Sequence, residues 1–148
     1  MQYEEQQYGR IFVLVNSLFV LLVALSFIFS DTIQNIDTRL LISYFILMTF
    51  ITALFYKLQI TVTNSCIQLR FGVGLIQKKI ELDAVASVIE VKNKWWHGWG
   101  IRRLPNTWMW NIDGLTAVEI SYKDSPNKFR IGCVDSFRLK QEIVKRLQ

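Results

Sequence analysis

Residues Ile11–Ser30 read IFVLVNSLFVLLVALSFIFS, twenty residues without a charge, a proline or a glycine. A second run, Leu40–Tyr56, reads LLISYFILMTFITALFY and is also uncharged. At about 1.5 Å rise per residue the first spans roughly 30 Å, the thickness of a bilayer's hydrocarbon core, and the second sits at the short end of that range. Neither carries the polar stripe of an amphipathic helix, which argues against a buried soluble hairpin. A signal peptide fits poorly. The leading MQYEEQQYGR is net acidic, and no small-residue cleavage site follows before Asp31. The sequence therefore predicts a two-helix transmembrane hairpin over residues 11–56, joined through DTIQNIDTR, behind a short N-terminal tail of residues 1–10. Asn16 and Ser17 on the first run and Thr49 and Thr52 on the second suit bonding across a helix bundle.

The chain carries a net charge of +5, and every one of its 17 Lys and Arg residues except Arg10 and Arg39 lies at or after Lys57. By the positive-inside rule this places residues 57–148, and with two spans the N-terminus, on the cytoplasmic side of a cell membrane. Tyr8 and Tyr56 fall at the shared interface.

From Leu58 the pattern changes to alternation. LQITVT (58–63), IQLRF (67–71), LIQKKIEL (75–82), SVIEVK (87–92), TWMWNI (107–112), AVEISY (117–122) and KFRIGCV (128–134) read as seven short strands separated by turn residues. Asp135-Ser136 then offers a helix cap. FRLKQEIVKRLQ follows, with Phe137, Leu139 or Lys140, Ile143, Val144 and Leu147 on one face. A seven-strand meander curls into two near-orthogonal sheets or an open barrel, and an amphipathic helix closes its open end.

LQITVTN, IELDAVASVIEVKN, WWHGWGIRRLPNTWMWNIDGLTAVEI and IGCVDSFRLKQEIVKRL resemble the pleckstrin-homology-like domain of many bacterial membrane proteins, commonly found after one or two transmembrane helices. The resemblance implies a seven-stranded antiparallel barrel with a C-terminal capping helix and no catalytic residues. It does not imply phosphoinositide binding. In eukaryotic relatives that activity needs a basic first loop, and the corresponding turn here is Asn64-Ser65-Cys66, short and uncharged.

The candidate membrane or partner surface is Lys94, Trp95, Trp96, His97, Trp99, Arg102 and Arg103. Tryptophan beside cations suits an anionic headgroup layer. The same tryptophans also suit packing on a barrel rim, and His97 suits an ordinary loop position. Trp108 and Trp110 share a strand face and Met109 takes the other. Open edges near Lys78–Leu82 or Asn93–Asn106 offer places for an added strand.

Cys66 and Cys133 lack a CxxC or a neighbouring histidine, so a metal site is not indicated and two reduced thiols are expected. Glu81, Asp83, Glu90 and Glu119 fall on separate strands, and no nucleophile–base or HExxH pattern occurs. The expectation is a non-catalytic, cofactor-free interaction module. It binds the lipid bilayer, a protein partner or another copy of itself, and not nucleic acid. The alternative is an accessory subunit of a membrane enzyme or transporter with a pocket between helices and barrel.

Overall fold

A computed structural model describes residues 2–29 and 38–147. The elements are β1 (Tyr3–Tyr8), α1 (Arg10–Phe29), α2 (Thr38–Phe55), β2 (Lys57–Val62), β3 (Cys66–Phe71), β4 (Ile76–Glu81), β5 (Val85–Lys92), β6 (Gly100–Leu104), β7 (Thr107–Asn111), β8 (Thr116–Tyr122), β9 (Ser125–Gly132) and α3 (Ser136–Leu147). Of the expected connection between the apolar runs, residues 31–37 lie outside the described residues.

The strands form two sheets, β1-β2-β3-β4 and β5-β8-β9-β7-β6. Alternation drives both. Leu58, Ile60 and Val62 pair in register with Phe71, Leu69 and Ile67, and all six are buried. Opposite them stand Val118 and Ile120 of β8 with Ile131 and Phe129 of β9. Leu139 and Ile143 of α3 complete this core. Asp135 caps α3 by accepting the Arg138 N–H at 2.9 Å. Phe137 and Val144, expected on the inward face of that helix, are exposed.

This corrects the expected seven-stranded antiparallel barrel. The sheets are separate, not closed on each other, and β7 runs parallel to β9. Strands occur at all seven alternating segments, and two more appear. One is β6, inside the tract expected to be a loop. The other is β1, from the N-terminal tail, paired antiparallel with β2 from Tyr3↔Val62 to Tyr8↔Lys57. β4 stays an edge. Lys78 shares the inward parity of Ile76 and Ile80 and lays its ammonium 5.0 Å over the Phe129 ring, a charge that discourages edge pairing.

The transmembrane hairpin is also corrected. Among the described residues no helix is long and apolar enough to cross a membrane. Arg10 and Arg39 lie inside the helices. The uncharged part of α1, Ile11–Phe29, rises roughly 28 Å and that of α2, Leu40–Phe55, roughly 24 Å, against about 30 Å of hydrocarbon. The multi-pass placement in a cell membrane, with both termini cytoplasmic, rested on those two spans and falls with them.

Instead α1 and α2 pack on each other, with Phe19 and Tyr44 ring centroids 4.2 Å apart and Phe12 stacked on Phe55 at 5.7 Å. From Phe55 the aromatic contacts run into the sheets through Phe71 (5.4 Å), Trp110 (5.2 Å) and Phe129 (5.8 Å). This ladder makes the base of the helix pair part of the main core.

Candidate interaction surface

Three close approaches fix where the helices leave the sheets. Gly9 donates its N–H to the Tyr56 carbonyl at 2.8 Å, and a Cβ there would lie 2.5 Å from the Phe55 oxygen. Gly72, with φ +47°, donates to the Lys57 carbonyl at 2.7 Å and leaves no space for a side chain beneath α2. Gly100, with φ +96°, turns the chain past Phe12, whose Cζ would be 4.0 Å from an added Cβ. The aromatic tract therefore ends beside Phe12, near the root of α1. Its start is tied down by the Asn93 N–H, which donates to the Leu115 carbonyl at 2.6 Å.

Within the tract, Trp95–His97 form one 3-10 turn, closed by His97 N–H to Lys94 O at 3.0 Å and Gly98 N–H to Trp95 O at 3.2 Å. That turn sorts the expected residues into two groups. Trp95 and Trp96 point out, 71% and 62% exposed, edge to face at 5.8 Å, with the Lys94 ammonium 5.0 Å over Trp96. His97 and Trp99 turn in, and their Nδ1 and Nε1 are buried without a hydrogen-bond partner. Arg102 donates from Nε to the Trp99 carbonyl at 3.2 Å and so serves the tract's own backbone. Arg103 leaves the cluster and stacks on Trp108, 5.6 Å away, on the β6–β7 ladder. Lys94, Trp95 and Trp96 are thus gathered, and Arg103 is not with them.

Trp110 enters the core as its strand face demands, while Trp108 on the same face lies at the exposed end. Met109 on the other face is fully buried, flanked in register by Arg102 and Arg130.

Sequence reasoning missed a polar cluster on that outer face. Glu119 accepts Lys128 Nζ at 2.9 Å and Arg130 Nη2 at 2.5 Å, and Arg130 Nη1 also donates to Asn93 Oδ1 at 3.0 Å. Glu119 and Asn93 are buried. Burial pushes the Glu119 carboxyl up, but the Lys128 and Arg130 hydrogen bonds and charges outweigh it and hold it below the usual value. His97 is held below its usual value by burial first, then by Arg130 and Lys94. The alternation that puts Glu119 opposite Arg130 was legible; that the tract would bury them was not.

The helices contribute the larger feature. Leu14, Leu18 and Leu22 on α1 and Leu40, Ile46 and Phe50 on α2 are all more than half exposed. Shallow grooves follow these faces. One of about 350 Å³ is lined by Tyr8, Arg10, Val13, Leu14, Ser17 and Tyr56, and one of about 470 Å³ by Phe45, Ile46, Thr49, Phe50 and Ala53. A larger polar cleft, about 630 Å³, lies away from the tract between Asn64, Asp83, Lys123 and Arg146. Among the described residues no three His, Cys, Asp or Glu side chains gather as a metal site would need.

A scan against protein-family models, a search of curated proteins and a search of solved structures each return no match. With the sheets unclosed and no family match, the resemblance to a bacterial pleckstrin-homology-like domain behind a membrane anchor is not upheld.

Proposed function

We propose that this chain is a non-catalytic interaction module that receives a protein partner on its helical end. The observation that carries the reading is the apolar surface left on α1 and α2, where Leu14, Leu40 and Ile46 are 67%, 66% and 66% exposed. Monomeric proteins rarely leave contiguous apolar patches beyond a few hundred Å² without a use for them. The fourteen large apolar side chains exposed on the two helices amount to on the order of 1,000 Å², above the roughly 800 Å² that each partner gives to a standard interface.

On the tract whose Gly100 end passes Phe12 of α1, Lys94 stands with the outward Trp95 and Trp96. Exposed Trp beside cations is the composition of an interface rim and anchor. An apolar centre beside this tract fits a partner whose docking face is itself apolar.

A photo-crosslinking amino acid placed at Ile46 and at Trp95 in the full chain tests this, with Gln77 on β4 as control. Discrete polypeptide adducts are expected at the first two positions and none at Gln77. Adducts to phospholipid alone, or no adducts, would overturn the reading.

A further inference from the structure

The helical end holds both halves of a packing interface. Along α1, Leu14, Leu18 and Leu22 stand one turn apart as a continuous i, i+4 ridge, 67%, 54% and 56% exposed. Along α2, Phe45, Ile46, Thr49, Phe50 and Ala53 line the shallow groove of about 470 Å³. A ridge of aliphatic side chains on one helix is what fills such a groove on another. Both are uncharged, so each suits an uncharged apolar occupant.

We propose that the partner is a second copy of this chain, with the α1 ridge of each copy seated in the α2 groove of the other. The inference rests on the reading above and names its partner. A two-fold axis makes the contact twice, which is how a self-complementary face closes without leaving a free end. The result is a four-helix arrangement with the sheets at its periphery. Exposed apolar area on the order of 1,000 Å² per copy is enough for a stable dimer. A heterologous partner would have to reproduce the α1 ridge, which the chain already carries.

Sedimentation equilibrium of the full chain without detergent gives the decisive mass. The expected result at micromolar protein is twice the 17.4 kDa of one chain. Thr49→Arg, which puts a cation in the groove, is expected to weaken the dimer at least about 100-fold, because the partner's α1 would bury the charge without a counterion. A second variant keeps the proposal open to refutation should Thr49→Arg disturb folding. A photo-crosslinking amino acid at Leu18 is expected to give a covalent dimer joined to residues 45–53 of the other copy, and one at Gln77 none.

A monomeric mass, polydisperse aggregates, or equal cross-linking from Leu18 and Gln77 overturns the second copy. If polypeptide adducts of some other mass still form at Ile46, the interaction-module reading stands without it. Adducts to phospholipid alone overturn both.

Discussion

Gln7 reaches across the seam between the two sheets and takes the backbone of Ile112: its Oε1 accepts the Ile112 N–H at 3.2 Å, while its Nε2 donates to the neighbouring Asp113 carbonyl at 2.5 Å. Gln7 is 3% exposed, so both ends of its amide are satisfied out of water. Glu5, two residues earlier on the same face of β1, accepts the Val134 N–H. The first strand is therefore a clamp between the sheets. Gln7→Ala strands the Ile112 N–H without its partner and is expected to cost about 1–3 kcal/mol. Urea unfolding of the two forms measures it; an unchanged midpoint would show that the clamp contributes nothing.

Gly72 carries a second prediction. A Cβ there would sit 2.1 Å from the Ala53 carbonyl, at φ +47°. Gly72→Ala meets both a backbone clash and left-handed strain, and a loss on the order of 3 kcal/mol is expected. Gly74, with φ +91° and nothing within 4 Å, is the control, since Gly74→Ala meets the strain without the clash. If the two substitutions lowered the thermal midpoint equally, the packing of the β3–β4 turn beneath α2 would be refuted.

These two residues also show what pattern reading reaches. Period-two alternation located β2 to β5 and β7 to β9, because each buries one face on the same core. β1 was hidden. Its face toward the core and the other sheet is Tyr3, Glu5 and Gln7, two of them polar, and its partner β2 lies beyond both helices, so neither alternation nor proximity marked it. β6 was hidden by Trp99, Gly100 and the arginines, which read as loop chemistry. The parallel pairing of β7 with β9 is a non-local choice that hairpin turns do not encode. In the aromatic tract the residue types were legible. Their division into outward Trp95 and Trp96 and inward His97 and Trp99 was not, since it depends on a single 3-10 turn. The apolar runs were correctly seen as helical, but among the described residues neither helix is long and apolar enough to be a span.

Cys133 is fully buried, and burial, followed by the negative charges of Glu5, Asp135 and Glu90, pushes its thiol up to about 12. The thiolate is the reactive species, so alkylation at pH 8 is expected to be slower than for the unfolded chain by at least about 100-fold. Mass spectrometry of a time course in native buffer and in guanidinium checks it. Fast native labelling at Cys133 would mean that the end of β9 is open to solvent.

Glu119 and His97 both contribute to the acid limb of stability, and the sign is the same for both. Glu119, depressed below 4.5, contributes stability that is complete above its unfolded value and is lost as pH falls through the lower folded value. His97, depressed below 6.5, is neutral in the fold. The unfolded chain takes up its proton first, so stability falls as pH drops from about 6.5 toward the folded value. Unfolding free energy measured against pH should therefore show two descending legs. His97→Phe is expected to flatten the upper leg, which begins at about pH 6.5, and leave the lower one. Glu119→Gln should shrink the lower leg and also cost about 3 kcal/mol at neutral pH, because Arg130 loses the charge that it faces. Protonation of His97 adds a third positive charge beside Lys94 and Arg130. The tract carrying Trp95 and Trp96 is then expected to gain hydrogen exchange at Lys94–Trp99 before β8 and β9 do. Simultaneous loss of protection in the tract and in those strands would show that the tract is not a separately held element.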